Sequence, residues 1–490
     1  MKVLKNILLC ALCVLCGSSA RAAEEEDYYK LITIPVPEGV VLEVGGLAAL
    51  PNHRLVATTR RGEVWIIDGA YEDPPVNVKF KRFAYGLHEP LGVKYRDGAF
   101  YVMQRTELTR LRDLDGDDVA DEYTTLATGW GVTGAYHEYA YGPVFDRDGN
   151  MIVTLNCTMG DKLNKNDTWR GWSLRIKPDG TWEPWSAGMR SPSGLGTNSA
   201  GDVFYTDQQG TWMGTCPLTQ IERGDFHGYA EKQVTRTFEL PQSPIKPMKI
   251  VEKVPIPVAA KEVPHLKLPA VWLPYRKMGQ SATDVLCDTT AGKFGPFADQ
   301  MFIGEFTLSM VLRVFLEKVD GKYQGAVFRF REGFQCGPFR ETFGEDGSMF
   351  VGQTNRGWNS LGTKSYGLQR MVWTGKTPFE IQKMEAASDG FVLTFTQDVD
   401  PATAGDAKSY TMSSYTYEYH ATYGSEEIDP RKLTIASAKV LDARRVKLTV
   451  DGLRPMYVHE LEAAGVKSTG GETLLHDVGC YTLNRIPAAR

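Results

Sequence analysis

The chain has little excess of charge, and what there is is acidic: 55 Lys and Arg against 60 Asp and Glu give −5 over 490 residues. With no basic stripe, nucleic acid is excluded as the expected partner. Cysteine is scarce. Three of the eight, Cys10, Cys13 and Cys16, crowd the N-terminus. The others, Cys157, Cys216, Cys287, Cys336 and Cys480, are odd in number and far apart, which excludes a disulfide scaffold. Past residue 22 there is no Cys-x-x-Cys pair for zinc, and nowhere a Cys-x-x-Cys-His for covalent haem. There is no Gly-rich phosphate loop, no nucleophile elbow and no His-Glu-x-x-His helix.

Long apolar runs are absent as well. The one from Ile7 to Leu15 is too short for a stable membrane span. It follows Lys2 and Lys5 and precedes Ala20-Arg21-Ala22, the layout of a signal peptide over residues 1–22 cleaved after Ala22. Cys13-Val14-Leu15 before Cys16 makes a poor lipidation site. The expectation is export, to the periplasm or beyond, with no integral membrane segment once the signal is removed. Removal takes the formal charge from −5 to −8.

What is abundant is glycine, 49 residues, with 11% aromatics, as expected of many short strands joined by tight turns. One hairpin pattern recurs. It is clearest in "GAYHEYAYGPVFDRDGNMIVTLN" (134–156), and returns in "LGVKYRDGAFYVMQ" (91–104), "SGLGTNSAGDVFYTDQQG" (193–210) and "FRETFGEDGSMFVGQT" (339–354). Looser copies lie at 45–59 and 295–306. The turns fall near 53, 98, 149, 201, 299 and 347, a spacing of about 50 with one double gap. That period predicts an all-β chain built on a six-bladed β-propeller over about 40–376, and a long β-sandwich has no reason to repeat this way. The double gap holds a Pro- and Lys-rich stretch, expected as an insertion at about 231–278. From Thr377-Pro378 the repeat stops. Alternation at Phe391, Leu393, Phe395 and at Val446, Leu448, Val450 predicts a small Ig-like β-sandwich over 378–490.

In an antiparallel hairpin, the start of one strand and the end of the next share an edge. Polar residues gather at that edge in several repeats: His88; His137 with Asn156; Arg190 with Asp207 and Gln209; Gln280 with Glu305; Arg340 with Gln353. Convergent polar groups at a channel mouth are a ligand-site hypothesis, and hydrogen bonding between blades is the equal alternative. His137 is the general-base candidate, because histidine titrates near neutrality. Arg190 and Arg340 suit carboxylates or developing negative charge. His88, Asn156, Asp207, Gln280, Glu305 and Gln353 are the substrate-contact candidates. In "DLDGDDVADE" the carboxylates of Asp113, Asp115, Asp117 and Asp121 alternate as calcium ligands do, though a solvated acidic turn gives the same pattern.

These hairpins, with "ELTRLRDLDGDDVADEY", "TDQQGTW", "GDFHGY" and "GLQRMVWTG", resemble the glucose/sorbosone dehydrogenase family over about residues 40–376. They look most similar to relatives in planctomycete-type bacteria described as membrane-bound dehydrogenases, some with a haem c domain that this chain lacks. The resemblance implies a secreted six-bladed propeller, with pyrroloquinoline quinone and calcium as cofactors. His137 would match the base, Arg190 an arginine beside substrate and cofactor, and Gln209-Gly210 the carbonyls that hold the cofactor's calcium. Arg340 would match one of two cofactor-binding arginines. Ser191, Leu308 and Pro338 stand where the family usually has asparagine, lysine and the second arginine. Three functions follow: an exported sugar or polyol dehydrogenase, with a redox partner the sequence does not identify; a non-catalytic propeller that binds a small carbohydrate, glycan or partner; or a sugar lyase or hydrolase at the same mouth.

Overall fold

In the computed structural model, residues 24–159 and 165–489 are described; the expected signal peptide lies outside them. The fold is a nearly all-β propeller. Five separate four-stranded antiparallel sheets follow one another along the chain. The first holds Val44–Leu50, Arg54–Thr59, Val64–Asp68 and Lys79–Ala84. The second runs from Val93–Arg96 to Glu122–Thr128 and the third from Ala140–Phe145 to Trp182–Ala187. The fourth starts at Gly194–Thr197 and the last at Pro338–Phe343. Between those two, Ala282–Cys287, Met301–Glu305, Met310–Val319 and Lys322–Arg331 form a further four-strand meander.

The ring closes through its N-terminus. Tyr29–Thr33 adds to Tyr366–Trp373 as the outer strand of the last sheet, in register from Tyr29↔Trp373 to Thr33↔Gln369. The inner strands come very close together. A Cβ on Gly92 would sit 1.9 Å from the Gly142 carbonyl oxygen, and one on Gly194 would sit 1.9 Å from that of Thr283. Only glycine allows such an approach. Side chains then tie one sheet to the next: Thr58 donates to the Pro90 carbonyl at 3.2 Å, Thr154 to Pro192 at 3.0 Å and Thr283 to Pro338 at 2.9 Å.

The excursion in the double gap departs from the expected limits. It leaves the fourth sheet after Cys216–Gln220, forms short helices at Lys232–Thr235 and Ile256–Glu262, and returns as that sheet's outer strand, Val271–Leu273. The end of the stretch expected outside the blades is therefore blade. The C-terminal strands bury the alternating faces read from the sequence, with Phe391, Leu393, Val446 and Leu448 fully enclosed. They do not stand apart. Val478–Leu483 pairs with Lys322–Arg331, so the meander and the C-terminal strands run on as one eleven-stranded sheet. Alternation reports which face a strand buries, not which neighbour its edge finds. All five described cysteines are buried and unpaired. Among the described residues no helix is long and apolar enough to cross a membrane.

A buried ionic cluster links the two ends of the described chain. His476 meets Glu380 through Nδ1 at 2.6 Å and Glu25 through Nε2 at 2.9 Å. Glu25 also accepts the Glu332 N–H at 2.7 Å and pairs with Arg331 at 3.3 Å. Burial alone would lower the pKa of His476; its two carboxylate partners instead raise it to about 9. A raised histidine stabilises fully below its unfolded value, and that contribution is lost as pH climbs through its folded value. Stability should therefore fall by up to about 3 kcal/mol between pH 6.5 and 9.5. Denaturant melts across that range check this, and in His476→Gln the pH dependence should flatten.

Candidate functional site

A cavity of about 390 Å³ opens where the loops that precede the inner strands gather. His137, Arg190, Gln209 and Gln280 line it, as do Arg60, Tyr136, Tyr275, Arg356, Trp358 and Tyr423. Tyr136, Trp358 and Tyr423 are exposed aromatics. None of the described lining residues is acidic.

His137 stands on a turn just before Ala140–Phe145, and the imidazole makes no hydrogen bond among the described residues. Its loop is held from behind. Arg105 donates to the carbonyls of Ala135 at 3.2 Å and Tyr136 at 2.7 Å, and is itself fixed by Glu89 at 2.7 Å. Glu89 also binds Arg60 Nε at 3.0 Å. Glu138 is not the partner of His137. It is buried and accepts the N–H groups of Thr133 at 2.7 Å and Gly134 at 3.1 Å, so it shapes the turn. The pKa of His137 is lowered, first by its partial desolvation in the cavity and then by the charges of Arg190 and Arg105, so the ring is neutral and able to accept a proton at neutral pH.

Arg190 reaches the cavity from the loop before Gly194–Thr197. Its backbone is clamped by Asp207, which accepts the N–H of Arg190 at 2.9 Å, of Ser191 at 2.6 Å and of Gln208 at 2.7 Å. Burial pushes the Asp207 carboxyl up to about 6, against those N–H donors and the Arg190 charge. The guanidinium lies on Gly210: a Cβ there would fall 2.1 Å from its Cζ.

The other polar candidates lie beneath the cavity or outside it. Glu305 accepts the N–H of Gln280 at 2.9 Å and of Ser281, and Gln353 accepts that of Cys336 at 3.0 Å. With Asp207 they form a repeated device, in which a side-chain oxygen at the end of one strand holds the loop leading into its neighbour. Gln104 does the same for His88, whose side chain points to solvent rather than into the cavity. Asn156 is buried and donates to Ser191 Oγ at 2.9 Å. Arg340 sits deeper in the channel. Its guanidinium is spent on the carbonyls of Gly45 at 3.0 Å, Leu91 at 3.0 Å and Phe339, so the inner strands of three sheets meet on it.

The fit to the implied cofactors is limited. The Gly210 carbonyl already accepts the N–H groups of Met213 and Gly424, each at 3.0 Å, which leaves it no free lone pair for calcium. Pyrroloquinoline quinone carries three carboxylates. Of the lining arginines, Arg60 is paired with Glu89 and Arg356 with Glu43, and only Arg190 lacks a carboxylate among the described residues. One uncompensated guanidinium does not fit three carboxylates. In the acidic loop, Asp113, Asp115 and Asp117 bring one oxygen each to within 4.8 Å of one another. Asp121 instead accepts the Leu114 N–H at 2.7 Å.

Sequence reasoning did not find Arg60, Arg356, Trp358 or Tyr423. The first three lie on loops after strand ends where the repeat has no fixed pattern. Tyr423 comes from the C-terminal region, where alternation was the only signal.

Asp207→Ala would leave three backbone N–H groups without their acceptor. The expected loss is about 2–4 kcal/mol, with Asp207→Asn milder. Urea melts check this; a loss under about 1 kcal/mol contradicts the clamp.

Among solved structures, a protein of Thermus thermophilus described as an oxidoreductase (glucose dehydrogenase) is 16% identical. It aligns over 70% of this chain and 100% of its own, with a TM-score of 0.51. The carbohydrate-active enzyme of family AA12 from Trichoderma reesei is 10% identical over 71% of this chain and 96% of its own, TM-score 0.50. The PQQ-bound aldose sugar dehydrogenase of Streptomyces coelicolor is 13% identical over 70% and 98%, TM-score 0.48. At these identities the likeness is one of fold. No curated protein matches in sequence. The family model described as a domain of unknown function, DUF7133, matches residues 51–351, more than half of the chain, and the chain belongs to that family.

Proposed function

We propose that this is an exported, oxidoreductase-like propeller of six blades, the meander at 282–331 being the fifth, with an Ig-like C-terminal domain. It handles a sugar or polyol in the cavity at the channel mouth, with His137 taking a hydroxyl proton. One observation carries the reading: an imidazole kept neutral, and free of hydrogen bonds among the described residues, shares an aromatic-rimmed cavity with a guanidinium, and none of the described lining residues is acidic. Aromatic faces suit the C–H faces of sugar rings, and a neutral histidine suits proton transfer at working pH. The hydride acceptor of an oxidation would come from outside the chain.

The charge balance of the lining favours a second reading, in which the same residues bind a glycan without turnover, or act on a sugar as a lyase or hydrolase. Titration of the protein with the quinone and calcium, read by absorbance and by dye reduction with sugars, separates the two. Saturable binding with sugar-dependent reduction supports the dehydrogenase. Sugar binding with no reduction supports the second reading.

His137→Ala should lower turnover by about a hundred- to ten-thousand-fold. Because the side chain is exposed, stability should change by under about 1 kcal/mol. The rate should rise with pH through a midpoint below 6.5, since the neutral ring is the active form. In Arg190→Gln that midpoint should move up, because a charge that disfavours the imidazolium is gone. A midpoint unchanged by Arg190→Gln separates His137 from the arginine.

We propose calcium at Asp113, Asp115 and Asp117. Calcium should raise the melting temperature, chelator should lower it, and Asp115→Ala should abolish the difference. Equal melts under all conditions leave an acidic turn whose carboxylates serve only its own N–H groups.

A further inference from the structure

We propose that the cavity takes a sugar carrying a carboxylate, a uronate or an aldonate, with Arg190 as the group that holds it. The proposal rests on the reading that the cavity is the ligand site, and names the class of ligand.

The argument begins with the cost of Arg190. The residue is only 9% exposed. Arginines buried to this degree are almost always paired, because a desolvated charge without a partner costs several kcal/mol. Among the described residues Arg190 has no ion pair. Its Nε is buried with no hydrogen-bond partner, and one terminal nitrogen is 3.9 Å from Met159 Sδ. The other arginines of the cavity are satisfied: Arg60 by Glu89, Tyr139 Oη and the Arg356 carbonyl, and Arg356 by Glu43.

The position of Arg190 is built. Asp207 fixes its backbone from beneath, Gly210 leaves the space its guanidinium fills, and the Tyr423 ring lies 5.4 Å from its Cζ. An arginine held this firmly, with no carboxylate partner among the described residues, presents a planar guanidinium, the group that binds a carboxylate through two parallel N–H bonds. A neutral sugar would leave the charge uncompensated. The described lining holds three arginines and no acid, which disfavours a cationic ligand. A single carboxylate brings the site to balance. The aromatic rim then faces the ring that carries it.

The carboxylate could also come from a quinone cofactor, so the experiment has an arm for each source. Binding of D-glucuronate, D-glucose and pyrroloquinoline quinone to the full chain is measured by calorimetry. The variants are Arg190→Gln, Gly210→Ala, whose methyl displaces the guanidinium without removing its charge, and Asp161→Asn. Asp161 lies outside the described residues and controls for an ion pair from that segment. Melting curves confirm that each variant is folded.

The expected result is glucuronate binding at least roughly tenfold tighter than glucose. That preference should be lost in Arg190→Gln and weakened in Gly210→Ala, and should remain in Asp161→Asn. Equal binding of the two sugars overturns this proposal and leaves the cavity as a sugar site. Binding of neither sugar overturns both readings. Quinone binding lost in Arg190→Gln, without uronate binding, assigns the carboxylate to the cofactor and overturns the sugar-acid proposal. Uronate binding that appears only in Asp161→Asn makes Arg190 an ion-pair residue and overturns it as well.

Discussion

The structure depends on how closely the inner strands approach one another around the channel. Each innermost strand is the edge of its sheet, so the carbonyls on its channel side have no ladder partner, and a buried carbonyl must find a donor. The chain meets this demand with a side chain from a neighbouring sheet. Thr58, Thr154 and Thr283 each reach one carbonyl across a boundary. Arg340 reaches three, from Gly45, Leu91 and its neighbour Phe339. Where even a hydroxyl would not fit, glycine lets the backbones touch, as at Gly92 and Gly194. The channel is thus closed by hydrogen bonds near its axis and by Tyr29–Thr33 at its perimeter.

This closure separates structural from available polar groups. Arg340 has its charge in the channel, but every nitrogen is committed to backbone. One level up, Asp207, Glu305 and Gln353 are committed to the loops leading into the inner strands. These clamps let a loop hold its outermost side chains in fixed places. Arg190 rides on such a loop, and His137 on one held by Arg105 and Glu138. Rigid support beneath and open functional groups above is the arrangement that makes a rim site on a propeller precise enough for recognition.

The same distinction explains what could be read from the sequence. The hairpins could, because alternation flanking turns such as Asp97-Gly98, Asp148-Gly149 and Asp346-Gly347 is a local signal repeated on a fixed period. His137, Arg190, Gln209 and Gln280 were legible as cavity residues because they occupy the rim position of that repeat. Asp207, Glu305, Gln353 and Asn156 occupy an equivalent rim position and turn out to face backbone or a neighbouring side chain. A polar residue at a strand end looks the same whether its partner is an N–H group or a ligand, and only the conformation of the adjoining loop decides. Tyr423 could not be found, since it meets Arg190 only after more than two hundred intervening residues have folded. The joining of Val478–Leu483 to Lys322–Arg331 was hidden for a related reason: edges are chosen by tertiary packing.

His137 and Arg190 are coupled through space. The charge of Arg190 is one of the causes that lower the pKa of His137, after burial and ahead of Arg105. A carboxylate seated on Arg190 neutralises that contribution and leaves burial and Arg105 in place. The imidazolium is then less disfavoured, so the affinity of His137 for a proton would rise on binding of an anion there. By linkage, protonating His137 favours the anion in return. A neutral sugar has no such effect, because it leaves the guanidinium charge as it was. The lack of an acid among the described lining residues matters here: a carboxylate of the protein placed beside Arg190 would screen the charge permanently and break the link between that charge and His137. An Arg190 without a carboxylate among the described residues is costly to the fold, and that charge is what would allow a bound anion to set the basicity of His137.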